Sequence, residues 1–333
     1  MRPWTADRSS YSRAPTLIRY RSFENWDPPA LAEIWRTQPP LRGRMQAVTP
    51  PLLEQHVLAK PWFERQGLIV ACEGARPVGF VHAGFGANDT QNGLDREDGT
   101  TCLLIVAPHE QRPQIAMELL SASEDYLRRG GARHIYAGSQ FPLNPFYLGL
   151  YGSSDLPGVL ASDLAMVELL NAAGYKPLVR RQLFSRSLAS FRAPIDRQQM
   201  QVRRRFSVAP PVDRLPDNWW EACVWAHHEW TRYDLVLPAG GEPIISAIFW
   251  DIDPLSRSWG TQAVGLVRLD DTPEAREQGL TTYLLAEVLR QYQATGYTQF
   301  EAQSSCEDRT LHEVFKQLGL TAYDEGALWA KES

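Results

Sequence analysis

The chain has 333 residues, 44% of them hydrophobic, enough for two ordinary domains each with its own core. A net charge of −5 argues against nucleic acid or an anionic membrane surface as the main partner, because phosphate backbones require clustered Lys and Arg. The one basic run, "RRRF" at Arg203–Phe206, reads as a solvated strand end.

From the N-terminus, residues 1–15 lack the apolar stretch of a signal peptide and read as a disordered tail. Residues 16–23 read as a strand, and 28–38 and 50–63 as helices opened by proline. Strands follow at 67–74, 76–86 and 100–108, then a helix over 114–131 with Ile115, Leu119, Leu120 and Leu127 near one face. A strand at 133–140, a helix at 162–174 and a strand at 178–188 complete the first half.

After a junction near 193–199 the series starts again: strand 201–209, helix 218–230, and strands 243–253 and 261–270. A helix then runs from Gly279 to Gly296, followed by strand 297–303, helix 310–319 and strand 327–331. No segment approaches the ~20 apolar residues of a membrane span. Cys72, Cys102, Cys223 and Cys306 are scattered without a C-x-x-C pair, which fits a reducing cytoplasm and argues against a zinc site.

The two halves match residue by residue. Pro108, Gln111, Leu119, Leu120 and Gly131 align with Pro273, Arg276, Leu284, Leu285 and Gly296 at one offset. Asp163, Glu168 and Gly174 align with Asp308, Glu313 and Gly319 at a smaller one. The difference is absorbed by residues 141–161, an insertion of the first half that reads as a lid or an interdomain strap. Copies this large are tandem domains and not a solenoid: 16–193 and 200–333.

The most telling stretch is "DDTPEAREQGLTTYLL" from Asp270. A helix N-terminus presents unpaired N–H groups and partial positive charge, and a glycine before it lets the backbone wrap a phosphate. Gly279 gives that approach, Arg276 adds a cation, and Thr281 and Thr282 add hydroxyls. A plain capped helix, with Thr272 as N-cap and Pro273 behind it, accounts for everything except the glycine.

Strand, then Arg276-x-x-Gly279-x-Thr281 opening a long helix, then strand "FEAQ" and helix "VFKQLGL" resembles the GNAT N-acetyltransferase superfamily. "ELLNAAGY" at 168–175 is a second copy, and the tandem arrangement resembles that of mycothiol synthase-like proteins. The resemblance implies an α/β (α+β) fold of two acyl-CoA N-acyltransferase domains, each a mixed, mostly antiparallel sheet flanked by helices. It implies acetyl-CoA as co-substrate, no metal, and a small-molecule primary amine as acceptor, attacked directly in a ternary complex.

The implied cofactor contacts are Leu269, Asp270 and Asp271 as a backbone rail for the pantetheine. Arg276, Glu277, Gln278, Gly279, Leu280, Thr281 and Thr282 would surround the pyrophosphate, with Asp308 and Phe315 beside it. Phe315 stands where many relatives carry a tyrosine that protonates the CoA thiolate, so solvent, Tyr283 or Tyr323 must serve. Base candidates are Asp270, Asp271 and Glu301. Glu229, Trp230 and Tyr233 are the candidates for the acceptor side; "HHE" at 227–229 is no metal pair, because adjacent helical histidines point about 100° apart.

In the first half Gln114 replaces the glycine and Pro113 deletes a donor, so that copy is expected to bind CoA poorly. Two alternatives stand beside the main reading: a non-catalytic acyl-CoA-binding module, and a transferase with another acyl donor. The oligomeric state is open.

Overall fold

The computed structural model describes residues 17–331 apart from Asn144, so the expected tail at 1–15 lies outside the described residues. The first half comprises β1 (Ile18–Ser22), α1 (Pro28–Arg36), α2 (Pro50–Leu53), β2 (Leu68–Glu73), β3 (Arg76–Ala87) and β4 (Leu94–Val106). It continues with α3 (Arg112–Arg129), β5 (His134–Ala137), β6 (Val159–Leu160), α4 (Leu164–Ala172) and β7 (Tyr175–Ser187).

The second half opens with α5 (Arg197–Arg205), β8 (Ser207–Val208), β9 (Val212–Asp213), α6 (Trp219–Val224), β10 (Trp230–Val236) and β11 (Ile245–Asp251). Then come α7 (Asp253–Trp259), β12 (Ala263–Asp270), α8 (Pro273–Glu277), α9 (Leu280–Ala294), β13 (Gln299–Ser305), α10 (Arg309–Gln317) and β14 (Thr321–Lys331).

The strands form one sheet in the order β1-β2-β3-β4-β5-β14-β7-β13-β12-β11-β10-β8, with β6 on β14 and β9 on β10. Pairing is antiparallel except at β4–β5 and β12–β13. The two closing strands are exchanged between the halves. β14, from the end of the second half, lies between β5 and β7, and β7 pairs on its other edge with β13. Trp329 of β14 is therefore packed in the first-half core with Ile135 and Tyr175. Phe184 and Leu188 of the first half lie in the second-half core with Phe300 and Phe315.

Four local readings change. The helix expected over 50–63 is α2 followed by a π-helical turn at Glu54–Leu58, and ends there. The strand expected at 201–209 is mostly α5, with only Ser207–Val208 extended. Asp196 caps it by accepting from the Gln199 N–H at 2.8 Å, and its Gln, Met and Arg residues are good helix formers. Arg203, Arg204 and Arg205 thus end a helix, where their charge complements the dipole. The helix expected over 218–230 stops at Val224: His227 has φ 148°, which no helix holds, and Trp230 opens β10. Helix α7, closed by Gly260 at φ 64°, had no counterpart in the sequence reading.

The insertion behaves as a strap. From Pro145 to Leu160 every residue is buried except Asp155, which is half-buried. Trp62 of the first half donates to Pro145 O at 3.0 Å and Trp250 of the second to Ser154 O at 2.7 Å. The halves also meet where Trp62 stacks on Trp220 at 4.4 Å. Nearby, the Lys60 ammonium caps the last turn of α6 through Cys223 O (2.6 Å) and Val224 O (2.9 Å).

Candidate functional site

In each half a parallel strand pair divides like a fork. β12 and β13 pair only from Ala263↔Gln299 to Gly265↔Glu301, after which β12 continues to Asp270 beside β11 alone. The edge of β12 turned toward β13 is thereby left without a strand partner beyond Gly265. Backbone groups in that state are available to an extended ligand. A register shift opposite Ile248 and Phe249 leaves Val267 as an extra residue in β12, the local bend of a β-bulge.

The chain then enters α8, capped by Thr272, whose Oγ1 accepts from the Ala275 N–H at 3.2 Å. Gly279 breaks the helix at φ 75° and serves as N-cap of α9. An L-residue there is strained. The N–H groups of Leu280, Thr281 and Thr282 have no acceptor among the described residues, the usual state of a first helical turn. In the first half the corresponding turn is poorer. Pro113 has no N–H, and Arg112 donates to His109 O and Ile115 to Gln111 O, which leaves Gln114 alone.

Side chains around the Gly279 turn are committed to one another. Arg276, 14% exposed at its side chain, forks onto Asp271 with Nε and an Nη at 2.8 Å each, while its other Nη holds Asp308 at 2.8 and 2.9 Å. Asp271 pairing is the main reason the guanidinium pKa is raised, with burial opposing it. Thr281 donates to Asp271 Oδ2 at 2.7 Å and Thr282 to Gln317 at 2.8 Å, so neither hydroxyl points freely to a ligand. Burial acts to raise the Asp308 carboxyl, but the Leu311 N–H that it caps and Arg276 outweigh this and hold it low. Gln198 and Gln199 of α5 brace the far side through Glu277 O (2.7 Å) and Gly279 O (3.1 Å). Glu277 and Gln278 are exposed, Leu269 is half-buried and Leu280 is buried.

The three carboxylates proposed as bases are dispersed. Asp270, at the exposed end of β12, pairs with Arg268 at 2.8 Å. Asp271 is occupied as above. Glu301 has no solvent exposure and sits at the foot of the fork. Its Oε1 receives Arg42 and Gln299, and its Oε2 receives Ser153 Oγ (3.0 Å) and Tyr323 OH (2.9 Å). Burial raises the Glu301 carboxyl and Arg42 chiefly opposes it.

Phe315 is fully buried against Phe184 and far from any proton transfer by its chemistry. Tyr323 is the tyrosine at the fork, and Tyr283 is buried on α9. On β10, Trp230 packs under Trp225 in one core and Tyr233 against Phe249 and Tyr292 in the other, so the two side chains do not line one surface. Glu229 is exposed just before them. Arg42 and Ser153 escaped the sequence reading because both come from the first half; their sequence separations from Glu301 are 259 and 148 residues.

Among the described residues no group of three His, Cys, Asp or Glu side chains is arranged to hold a metal, and no helix is long and apolar enough to cross a membrane.

Residues 29–152 match the model of the acetyltransferase (GNAT) family. No curated protein sequence matches the chain. Among solved structures, a GCN5-related N-acetyltransferase from Sphaerobacter thermophilus is similar at TM-score 0.62 and 13% identity, over 95% of each chain. A tandem GNAT protein from the clavulanic acid biosynthesis pathway is similar at 0.61 and 14%, over 95% of this chain and 98% of that one. The glucosamine N-acetyltransferase region of a fungal multi-domain GH3 β-N-acetylglucosaminidase aligns at 0.63 and 15%, over 95% of this chain and 38% of that protein. At these identities the structures speak for the fold, and the family model for the residues it matches. Residues 29–152 thus carry a match to the GNAT acetyltransferase family, and a tandem GNAT fold runs along the length of the chain.

Proposed function

We propose that the protein is an acetyl-CoA-dependent N-acetyltransferase that acts on a primary amine of a small molecule and holds its co-substrate in the second half, in a division into domains at 16–193 and 200–333. One observation carries the reading: the unpartnered edge of β12 leads directly to a glycine turn whose next three N–H groups lack acceptors among the described residues. An extended arm ending in a pyrophosphate fits that sequence of donors. Pro113 and Gln114 make the first-half turn the poorer cradle.

Acetyl-CoA supplies an activated thioester; the chain supplies position and proton management. Leu269, Asp270 and Asp271 offer backbone along the arm, and Arg276, locked between Asp271 and Asp308, fixes the turn without contributing free charge. The amine arrives as an ammonium and gives one proton to a carboxylate. Asp270 is the candidate best placed for this because its side chain is 48% exposed, whereas Asp271 and Glu301 are enclosed. As the C–N bond forms and the C–S bond breaks, the nitrogen releases its second proton to solvent. The departing thiolate takes one from solvent directly or through Tyr323, which solvent reprotonates.

Calorimetry tests the reading. Acetyl-CoA should bind to the wild type with about one equivalent, and Gly279→Glu should abolish that binding while circular dichroism stays unchanged. Absence of binding, or binding indifferent to the substitution, refutes it. A second reading, a non-catalytic acyl-CoA-binding protein, is favoured by the enclosed Glu301 and the core position of Phe315. Binding without CoA release across a panel of amines would select it.

A further inference from the structure

Arg42, between α1 and α2 of the first half, reaches across to the foot of the second-half fork. Four contacts fix its position. The Trp259 indole, at the end of α7, donates to Arg42 O at 2.8 Å. The guanidinium carbon lies 5.1 Å from the centre of the Trp259 ring and 4.6 Å from that of Tyr323, within cation–π range of both. One Nη donates to Glu301 Oε1, and Glu301 is the β13 residue opposite Gly265, where β12 and β13 part.

Only that one nitrogen is engaged. Nε and the other Nη of Arg42 have no acceptor among the described residues, and the side chain is 38% exposed. A guanidinium carries five donors in a rigid fork. Arg276 shows its capacity in this same chain, forking onto Asp271 and holding Asp308 as well. Arg42 holds one carboxylate where Arg276 holds two. Glu301, in turn, has both oxygens doubly engaged, by Arg42 and Gln299 and by Ser153 and Tyr323, so it offers nothing to an incoming ammonium. What this cluster turns to solvent is a cation with an open edge, already immobilised between two rings. A donor fork held in place before binding spends little entropy on capturing a planar carboxylate.

We propose that Arg42 determines acceptor specificity: the acceptor carries a carboxylate beside its amine, and that carboxylate forks onto the open edge of Arg42. The inference rests on the reading of the second-half fork as the transfer site and adds the substrate class, an amino acid or an amine resembling one. The contact is non-covalent; it orients the amine toward the thioester and leaves the transfer chemistry as described.

Matched amines that differ only in the carboxylate test it: L-lysine against cadaverine, L-phenylalanine against phenethylamine, L-histidine against histamine. Each is titrated into the full chain by calorimetry, with and without CoA. Expected is a preference of about tenfold or more in Kd for the carboxylate-bearing member of at least one pair, erased in Arg42→Gln. Because that change leaves Glu301 without its cation, Arg42→Lys is measured beside it. Lysine keeps a charge opposite Glu301 and loses the fork, so the preference should fall while circular dichroism stays unchanged. No binding by any member, no preference in any pair, or a preference unchanged in Arg42→Lys overturns the proposal. Failure of acetyl-CoA itself to bind, in a separate titration, refutes the co-substrate reading and not this one, which the panel decides.

Discussion

Ser153 of the first-half strap donates to Oε2 of Glu301 at 3.0 Å, at the foot of the second-half fork. The bond puts a residue of the insertion onto the carboxylate that the family resemblance offers as a base, with Arg42 and Tyr323 on the same group. A carboxylate with every lone pair engaged ties the halves together before it moves protons.

Glu301→Ala should therefore lower stability by about 3 kcal/mol, because it strands two hydroxyls and Arg42 together. Glu301→Gln should cost less, about 1–2 kcal/mol, since one acceptor survives. Denaturant titration gives the size. If amine turnover is found, an unchanged pH–rate profile in Glu301→Gln assigns the residue to the tie, and a lost acidic limb assigns it to proton transfer as a base.

Much of this arrangement was legible locally and little of it across the chain. The apolar stripe of α3 and the Thr272 cap follow from spacing and capping preference, and both stand in the structure. The α5 segment misled because Val202, Phe206 and Val208 alternate like a strand, while its cap, Asp196, lies in what reads as a junction. The strand exchange leaves no local trace: β7 and β14 would carry the same alternation whichever β5-like neighbour they joined. Arg42 and Ser153 reach their partners only through that long-range assembly, so no motif marks them.

The exchange makes a prediction of its own. Trp329 belongs to the last strand yet is buried in the first-half core, so Trp329→Ala should destabilise by about 3–5 kcal/mol. Because β14 and β7 brace both halves, unfolding should remain a single transition displaced as a whole. Coincident near- and far-ultraviolet dichroism curves check this; separate midpoints would show that the halves unfold independently.

At the turn, Gly279→Ala should cost about 1–2 kcal/mol from backbone strain at φ 75°. Its Cβ would lie 2.8 Å from Gln199 Nε2, a flexible contact that can yield, so folding should survive and acetyl-CoA affinity should fall. The reverse change, Gln114→Gly, should lose about 0.5–1 kcal/mol of helix stability and gain no binding, because Pro113 still lacks a donor. Denaturant melts and calorimetry on the two variants read both effects.

The last prediction concerns acid. His56, 5% exposed, lies with its ring 5.4 Å from that of His228 and 6.3 Å from that of His227, where the two halves meet beside Lys60. Burial first, then Lys60 and His227, push the His56 pKa down to about 4, with Asp253 acting weakly the other way. Burial likewise lowers His228 and His227. A histidine whose folded pKa lies below its unfolded value of about 6.5 binds fewer protons when folded. Its stabilisation is complete above that unfolded value and is lost as pH falls through the folded one. For His56 the window runs from about 6.5 down to about 4, and the loss is roughly 3 kcal/mol. Other groups also titrate there, so the comparison is with His56→Gln, which cannot charge. The variant should be less stable than the wild type at pH 7, and the gap should shrink or reverse by pH 4.5. A gap that stays constant across that range would show that His56 charges as easily in the folded protein as in the unfolded chain.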